Sequence, residues 1–161
     1  MKIVVVRHAE KSEIKPNPIT EAGRACALEA GAWLQAQGVR PVLVGFTEKL
    51  RTRETVKAIL STYGLERAGV AQLPVGSMPA NLEGWTRAVE RITEVMRTRG
   101  LHGDVILGVH GTTQDFLVRE LGARKPPKGF RGATFVVDVG HGVGRTSRCQ
   151  ASWSGQPEKL P

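Results

Sequence analysis

The feature that most constrains this chain is the run Ile3-Val4-Val5-Val6, followed at once by Arg7-His8. Consecutive β-branched residues with no polar alternation fit a strand covered on both faces, as inside a parallel sheet. In open α/β sheets, ligands sit just beyond the carboxyl ends of the strands. Arg7 and His8 stand at that position. A guanidinium grips phosphoryl oxygens bidentately, and an imidazole can attack phosphorus. Taken by itself, the pair also reads as the start of a polar loop, because short motifs recur by accident.

Strands and helices then alternate. Thr20 is a good N-cap for a helix over Glu21–Gln37, with Glu21 suited to its positive end and Gly38 closing it. Ala22, Ala25, Cys26, Trp33 and Leu34 form its expected apolar face, interrupted by Glu29. Pro41–Gly45 reads as a second strand. A helix is expected from near Glu48, carrying Val56, Ile59, Leu60 and Tyr63 and stopped by Gly64. Val70–Pro74 fits a short strand. Trp85, Val89, Ile92 and Met96 recur at helical spacing within Leu82–Arg99.

The pattern of the opening returns at Asp104–Val109, an apolar run that ends at His110-Gly111. A helix follows through Phe116, Leu117 and Leu121 to Gly122, then a basic loop with Pro126, Pro127 and Gly129. Ala133–Val139 and Ser147–Trp153 read as a hairpin around the glycine-rich turn Gly140–Gly144. The expected architecture is α/β: a mostly parallel sheet with an antiparallel C-terminal edge hairpin. The length, 161 residues, fits one domain over 1–153 with a loose tail over 154–161.

Composition narrows the class of partner. A hydrophobic content of 40% with no apolar run near ~20 residues excludes a membrane-spanning helix. Met1-Lys2 and four apolar residues do not make a signal-peptide core, and two distant cysteines, Cys26 and Cys149, fit reduced thiols. The expected location is therefore cytoplasmic. A net charge of +8 points to anionic partners. An aromatic content of 5% and the lack of zinc-finger or RNP-like spacing argue against nucleic acid. The anion would then be small, or carried on a protein; a basic solvated surface is the alternative.

If the strands run parallel, His8 and His110 project from the same sheet edge, with Arg51 near the start of a helix that follows another strand. Together with Arg7 they could surround one anion, a helix N-terminus adding backbone donors.

Four segments in order, RHAEK (7–11), PITEAGRACA (18–27), LRTRETVKAI (50–59) and GVHGTTQDFL (108–117), resemble the histidine phosphatase superfamily, also called phosphoglycerate mutase-like, in its compact phosphatase branch. The resemblance implies a three-layer α/β/α sandwich and a covalent phosphohistidine intermediate. It implies His8 as nucleophile, Arg7 as its phosphate-binding neighbour, and His110 with Gly111 as further phosphate contacts. Arg51 matches the arginine of the family's R-x-x-x-T helix, with Thr55 four residues on. Arg53 is its rival.

The general acid is the point of departure. Many members carry a Glu or Asp that protonates the leaving oxygen, and Glu83 is the candidate here; favouring its own helix N-terminus is the plainer role. Asp115 and Glu10 are weaker candidates. If none serves, the chain resembles compact members acting on phosphohistidine, whose leaving nitrogen can carry its own proton.

No metal or other cofactor is expected, since arginines supply the positive charge. A metallohydrolase built on His8, His102, His110 and His141 lacks any metal-ligand spacing. The expected activity is hydrolysis of a phosphomonoester or phosphohistidine on a small molecule or phosphoprotein. The alternatives are mutase-type phosphoryl transfer and a non-catalytic phosphate-binding module.

Overall fold

A computed structural model describes residues 1–65, 70–74, 81–121, 123, 132–140 and 147–153. The proline loop near 126–129, most of the glycine-rich turn, His141 and the tail lie outside these residues. Ten elements follow in order: β1 (Lys2–Arg7), α1 (Glu21–Ala36), β2 (Pro41–Phe46), α2 (Leu50–Ser61), β3 (Ala71–Pro74), α3 (Leu82–Thr98), β4 (Asp104–Val109), α4 (Gly111–Glu120), β5 (Thr134–Val139) and β6 (Ser147–Trp153).

One sheet holds six strands in the order β3-β2-β4-β1-β5-β6. Neighbours from β3 to β1 are parallel, whereas β5 runs antiparallel to β1 and β6 antiparallel to β5. The mostly parallel sheet with an antiparallel C-terminal hairpin is therefore observed.

Ile3, Val4, Val5 and Val6 are completely buried, because β1 sits inside the sheet and helices cover both faces. Ile3 and Val5 join the core made with α3 and α4, through Trp85, Val89, Ile92, Phe116 and Leu117. Val4 and Val6 join the opposite core with α1 and α2, through Ala27, Ala30, Leu34, Val56 and Ile59. Two helical layers thus enclose the sheet, which is the α/β/α sandwich.

Helix α1 corrects one expectation. Thr20 does cap it, accepting from Gly23 N at 3.0 Å, and Gly38 takes the left-handed φ of 67° that closes it. Its buried stripe, however, is Gly23, Cys26, Ala27, Ala30, Gly31 and Leu34, while Ala22 and Ala25 are exposed. Glu29 is exposed too and interrupts nothing. The reason is close packing. A Cβ at Gly23 would collide with the Glu10 carbonyl oxygen, and one at Gly31 would lie 2.5 Å from Thr62 Oγ1. Small residues, rather than the largest apolar ones, define the contact face.

Candidate active site

Three neighbouring parallel strands, β2, β4 and β1, end side by side. The residue following each is Thr47, His110 and His8 respectively. Register places Phe46 opposite Gly108 and Arg7 opposite Val109, so the three side chains leave the sheet at one edge. Parallel pairing converts three distant sequence positions into a row.

His8 is buried, 7% exposed, and its backbone N–H donates to Val109 O at 3.0 Å. Its Nδ1 lies 2.9 Å from the Ala9 carbonyl oxygen. A carbonyl only accepts, so Nδ1 carries the ring proton and Nε2 of the neutral ring presents a lone pair. Burial drives the His8 pKa down to about 4, and the charges of Arg51, His110 and Arg7 push the same way, against the upward pull of the Ala9 bond. His8 is a neutral imidazole at ordinary pH.

Ala9 N in turn donates to Thr55 Oγ1 at 3.0 Å, and Thr55 donates to the Arg51 carbonyl at 2.7 Å. The R-x-x-x-T spacing therefore has a mechanical meaning. A threonine one helical turn after Arg51 pins the loop that carries His8. Arg51 is half-buried and its charge acts on both histidines, while Arg53 is exposed. Two residues apart on a helix, the pair points in directions ~200° apart, and Arg51 is the member on the site.

Arg7 ends β1, its N–H donating to Ala133 O at 2.9 Å. Its guanidinium lies against Gly111, where a Cβ would sit 3.8 Å from Arg7 Cζ. Gly111 opens α4, whose N-cap is His110 with extended backbone and no side-chain cap. Free amides and the positive end of the helix dipole therefore add to the arginines.

His110 stands edge-on to His8, with ring centroids 5.4 Å apart and planes at 67°. Its Nε2 is 3.1 Å from Thr47 Oγ1, which lies 2.9 Å from Thr52 Oγ1. Burial lowers the His110 pKa, as do the charges of Arg51, Lys49 and Arg7. Thr47 and Thr52 are fully or almost fully buried, and sequence reasoning passed over both. The available signal was positional: Thr47 follows its apolar strand as His8 and His110 follow theirs.

Arg7, His8, Arg51, His110 and Gly111 are thus brought together. Glu83 is not joined to them by any described contact. It stands in the first turn of α3, 75% exposed, ion-paired with Arg87 at 2.9 Å. Asp115 is exposed on α4. Glu10 is held in the loop, its Oε1 accepting from Thr20 Oγ1 at 3.0 Å. His102 is exposed in the turn before β4. Among the described residues, no group of three or more His, Cys, Asp or Glu side chains is arranged to hold a metal. Nor is any described helix long and apolar enough to cross a membrane.

No family model matches the sequence, and no curated protein matches it. Solved structures do. The protein histidine phosphatase SixA complexed with tungstate superimposes with a TM-score of 0.69 at 18% identity, over 96% of this chain and 97% of that one. A mycobacterial glucosyl-3-phosphoglycerate phosphatase gives 0.64 at 11% identity, over 95% and 98%. A phosphoglycerate mutase from Bacillus anthracis gives 0.64 at 11% identity, over 85% and 87%. The shared feature at these identities is the fold.

Proposed function

We propose that this chain, which has the histidine phosphatase fold, is a metal-independent phosphatase that works through a phosphohistidine at His8. The observation that carries this reading is the Nδ1–H bond of His8 to the Ala9 carbonyl, which leaves Nε2 as a bare lone pair between cations. A buried neutral imidazole held in that tautomer is prepared to attack and needs no deprotonation first.

Charge dictates the rest. In phosphoryl transfer, negative charge spreads over three equatorial oxygens, and catalysis is mostly positioning and electrostatic stabilisation. Arg7, Arg51, the amides at Gly111 and His110 are the groups that would hold those oxygens. His8 Nε2 forms a bond to phosphorus as the bond to the leaving group breaks. Water then displaces the imidazole, releasing phosphate and restoring the lone pair. The His8 Nδ1–H keeps donating to the Ala9 carbonyl throughout, and that oxygen steadies the positive charge that the ring acquires.

The leaving group separates substrate classes. Glu83 is the proposed acid for an alkoxide leaving group, but in the free protein its carboxylate faces solvent and Arg87. A substrate with an alkoxide would have to take that carboxylate from Arg87. Phosphohistidine has a leaving nitrogen that carries its own proton and asks nothing of Glu83. The likeness to a protein histidine phosphatase supports the same preference, so a phosphohistidine-bearing protein or peptide is the first substrate proposed. Mutase-type transfer is the second reading, supported by the likeness to a phosphoglycerate mutase.

The test is acid-free quenching during turnover of an aryl phosphate, followed by intact-mass measurement. A phosphoryl adduct in the wild type, absent from His8→Ala, is expected, with turnover insensitive to EDTA. Full activity in His8→Ala would sink the nucleophile assignment. Loss in EDTA restored by a divalent ion would sink the metal-free one.

A further inference from the structure

We propose that Thr47, backed by Thr52, holds His110 as its Nε2–H tautomer, leaving Nδ1 as the ring atom that accepts a proton from a bound phosphate monoanion. The tautomer follows from counting protons. Each threonine hydroxyl has one proton to donate, and a carbonyl oxygen has none. Thr52 Oγ1 lies 2.7 Å from Lys49 O and 3.1 Å from Thr47 O. Oxygens that close need a proton between them, so the Thr52 proton is committed to a carbonyl. Of the two hydroxyls 2.9 Å apart, Thr47 must then be the donor. With its proton spent there, Thr47 Oγ1 can only accept from His110 Nε2 at 3.1 Å. His110 Nε2 therefore carries the proton.

The neutral ring then has its lone pair on Nδ1. That atom is buried and has no hydrogen-bond partner among the described residues. Leaving a buried acceptor unsatisfied costs free energy, which a ligand proton would recover. Charged groups acting on His110 are Arg51 and Lys49 from the α2 end and Arg7 from β1, with the His8 ring on its edge. All are cationic or neutral, so they add to burial in disfavouring a protonated His110 while the site is empty.

A phosphate anion reverses that balance. Phosphate monoesters keep a last proton up to about pH 6. On binding, the P–OH proton passes to Nδ1 and its electron pair stays on oxygen. The result is an imidazolium donating to a phosphoryl oxygen, with no other bond changed. When phosphate leaves, the proton returns to it. His110 thus enters as a proton acceptor and becomes an electrostatic clamp only when loaded. The phosphoryl role rests on the function proposed above; the tautomer does not.

Imidazole ¹⁵N spectra of uniformly labelled protein test this, with His110→Gln assigning the resonances. The wild type free of phosphate is expected to show Nε2 protonated and Nδ1 not. Inorganic phosphate should then protonate Nδ1. Thr52→Val removes the acceptor for the Thr47 proton, freeing it to turn to Nε2, and should move His110 toward the Nδ1–H tautomer. Thr47→Ser should keep the wild-type pattern. Thr47→Val should lose on the order of 10²-fold in kcat, the scale for a misplaced catalytic group, with Thr47→Ser restoring it. An Nδ1–H tautomer in the wild type overturns the proposal, whether or not the variants fold. So does an unchanged tautomer in Thr52→Val, or an Nδ1 that inorganic phosphate leaves bare. These spectra need no turnover, so failure of the phosphatase reading would appear separately, in the His8 adduct experiment.

Discussion

Thr55 Oγ1 accepts a hydrogen bond from the Ala9 N–H at 3.0 Å and donates one to the Arg51 carbonyl at 2.7 Å. One hydroxyl therefore couples the loop that orients His8 to the helix that carries Arg51. Both partners are backbone groups, so the link is insensitive to side-chain rearrangement in the pocket.

Thr55→Val keeps the shape but strands the buried Ala9 N–H. A loss of about 1–3 kcal/mol is expected in urea denaturation, the penalty for an unsatisfied buried donor. Turnover should fall as well, because Ala9 O also fixes the His8 tautomer, and Thr55→Ser should recover most of both. Unchanged stability and turnover in Thr55→Val would remove the coupling.

The pH dependence follows from His8, whose pKa falls from 6.5 to about 4. The nucleophile must be neutral, so the first chemical step should rise with pH through about 4 and gain nothing more from His8 above it. Stability moves in the same direction. Between these two values the unfolded chain binds the His8 proton and the folded chain does not, so this contribution is full above pH 6.5 and is lost as pH falls to about 4. Wild type and His8→Gln compared in urea titrations across that window measure it; a wild-type curve parallel to the variant's would contradict the burial argument.

Arg51→Ala should cut turnover steeply and Arg53→Ala only slightly, since Arg51 acts on both histidines while Arg53 is exposed. Steady-state kinetics on one aryl phosphate decide it. The reverse ranking would move the phosphate to the other side of α2.

Glu83→Gln separates acid catalysis from helix chemistry. General acid catalysis is worth ~10²–10⁴-fold where the leaving group is poor and little where it departs unaided. If Glu83 leaves Arg87 to serve as the acid, the variant should lose far more on an alkyl than on an aryl phosphate. An equal, small loss on both would assign Glu83 to its ion pair and helix start. Phosphohistidine would then stand as the substrate class.

The buried β1 run, the strand before His110, the Thr20 cap and the α3 stripe were legible because each rests on local rules: side-chain period, capping and turn chemistry. The preference for Arg51 over Arg53 came instead from the resemblance, through the family's R-x-x-x-T helix, and no local rule separates the two. The α1 face was legible only at Cys26, Leu34 and in part Trp33; its small residues were not, because they carry no hydrophobic signal until another backbone approaches them, as Glu10 approaches Gly23. Thr47 was silent for a different reason. Its neighbours His110 and Thr52 come from a parallel strand and a following helix, and only the order β2-β4-β1 sets it beside a histidine 63 positions away. By itself the sequence determined which residues end the strands. The tertiary structure decided which ends are adjacent, and hence that His110 meets Thr47. The His8 ring is oriented by its own neighbour Ala9, whereas the partner of His110 Nε2 comes from the end of another strand, and no local pattern encodes it.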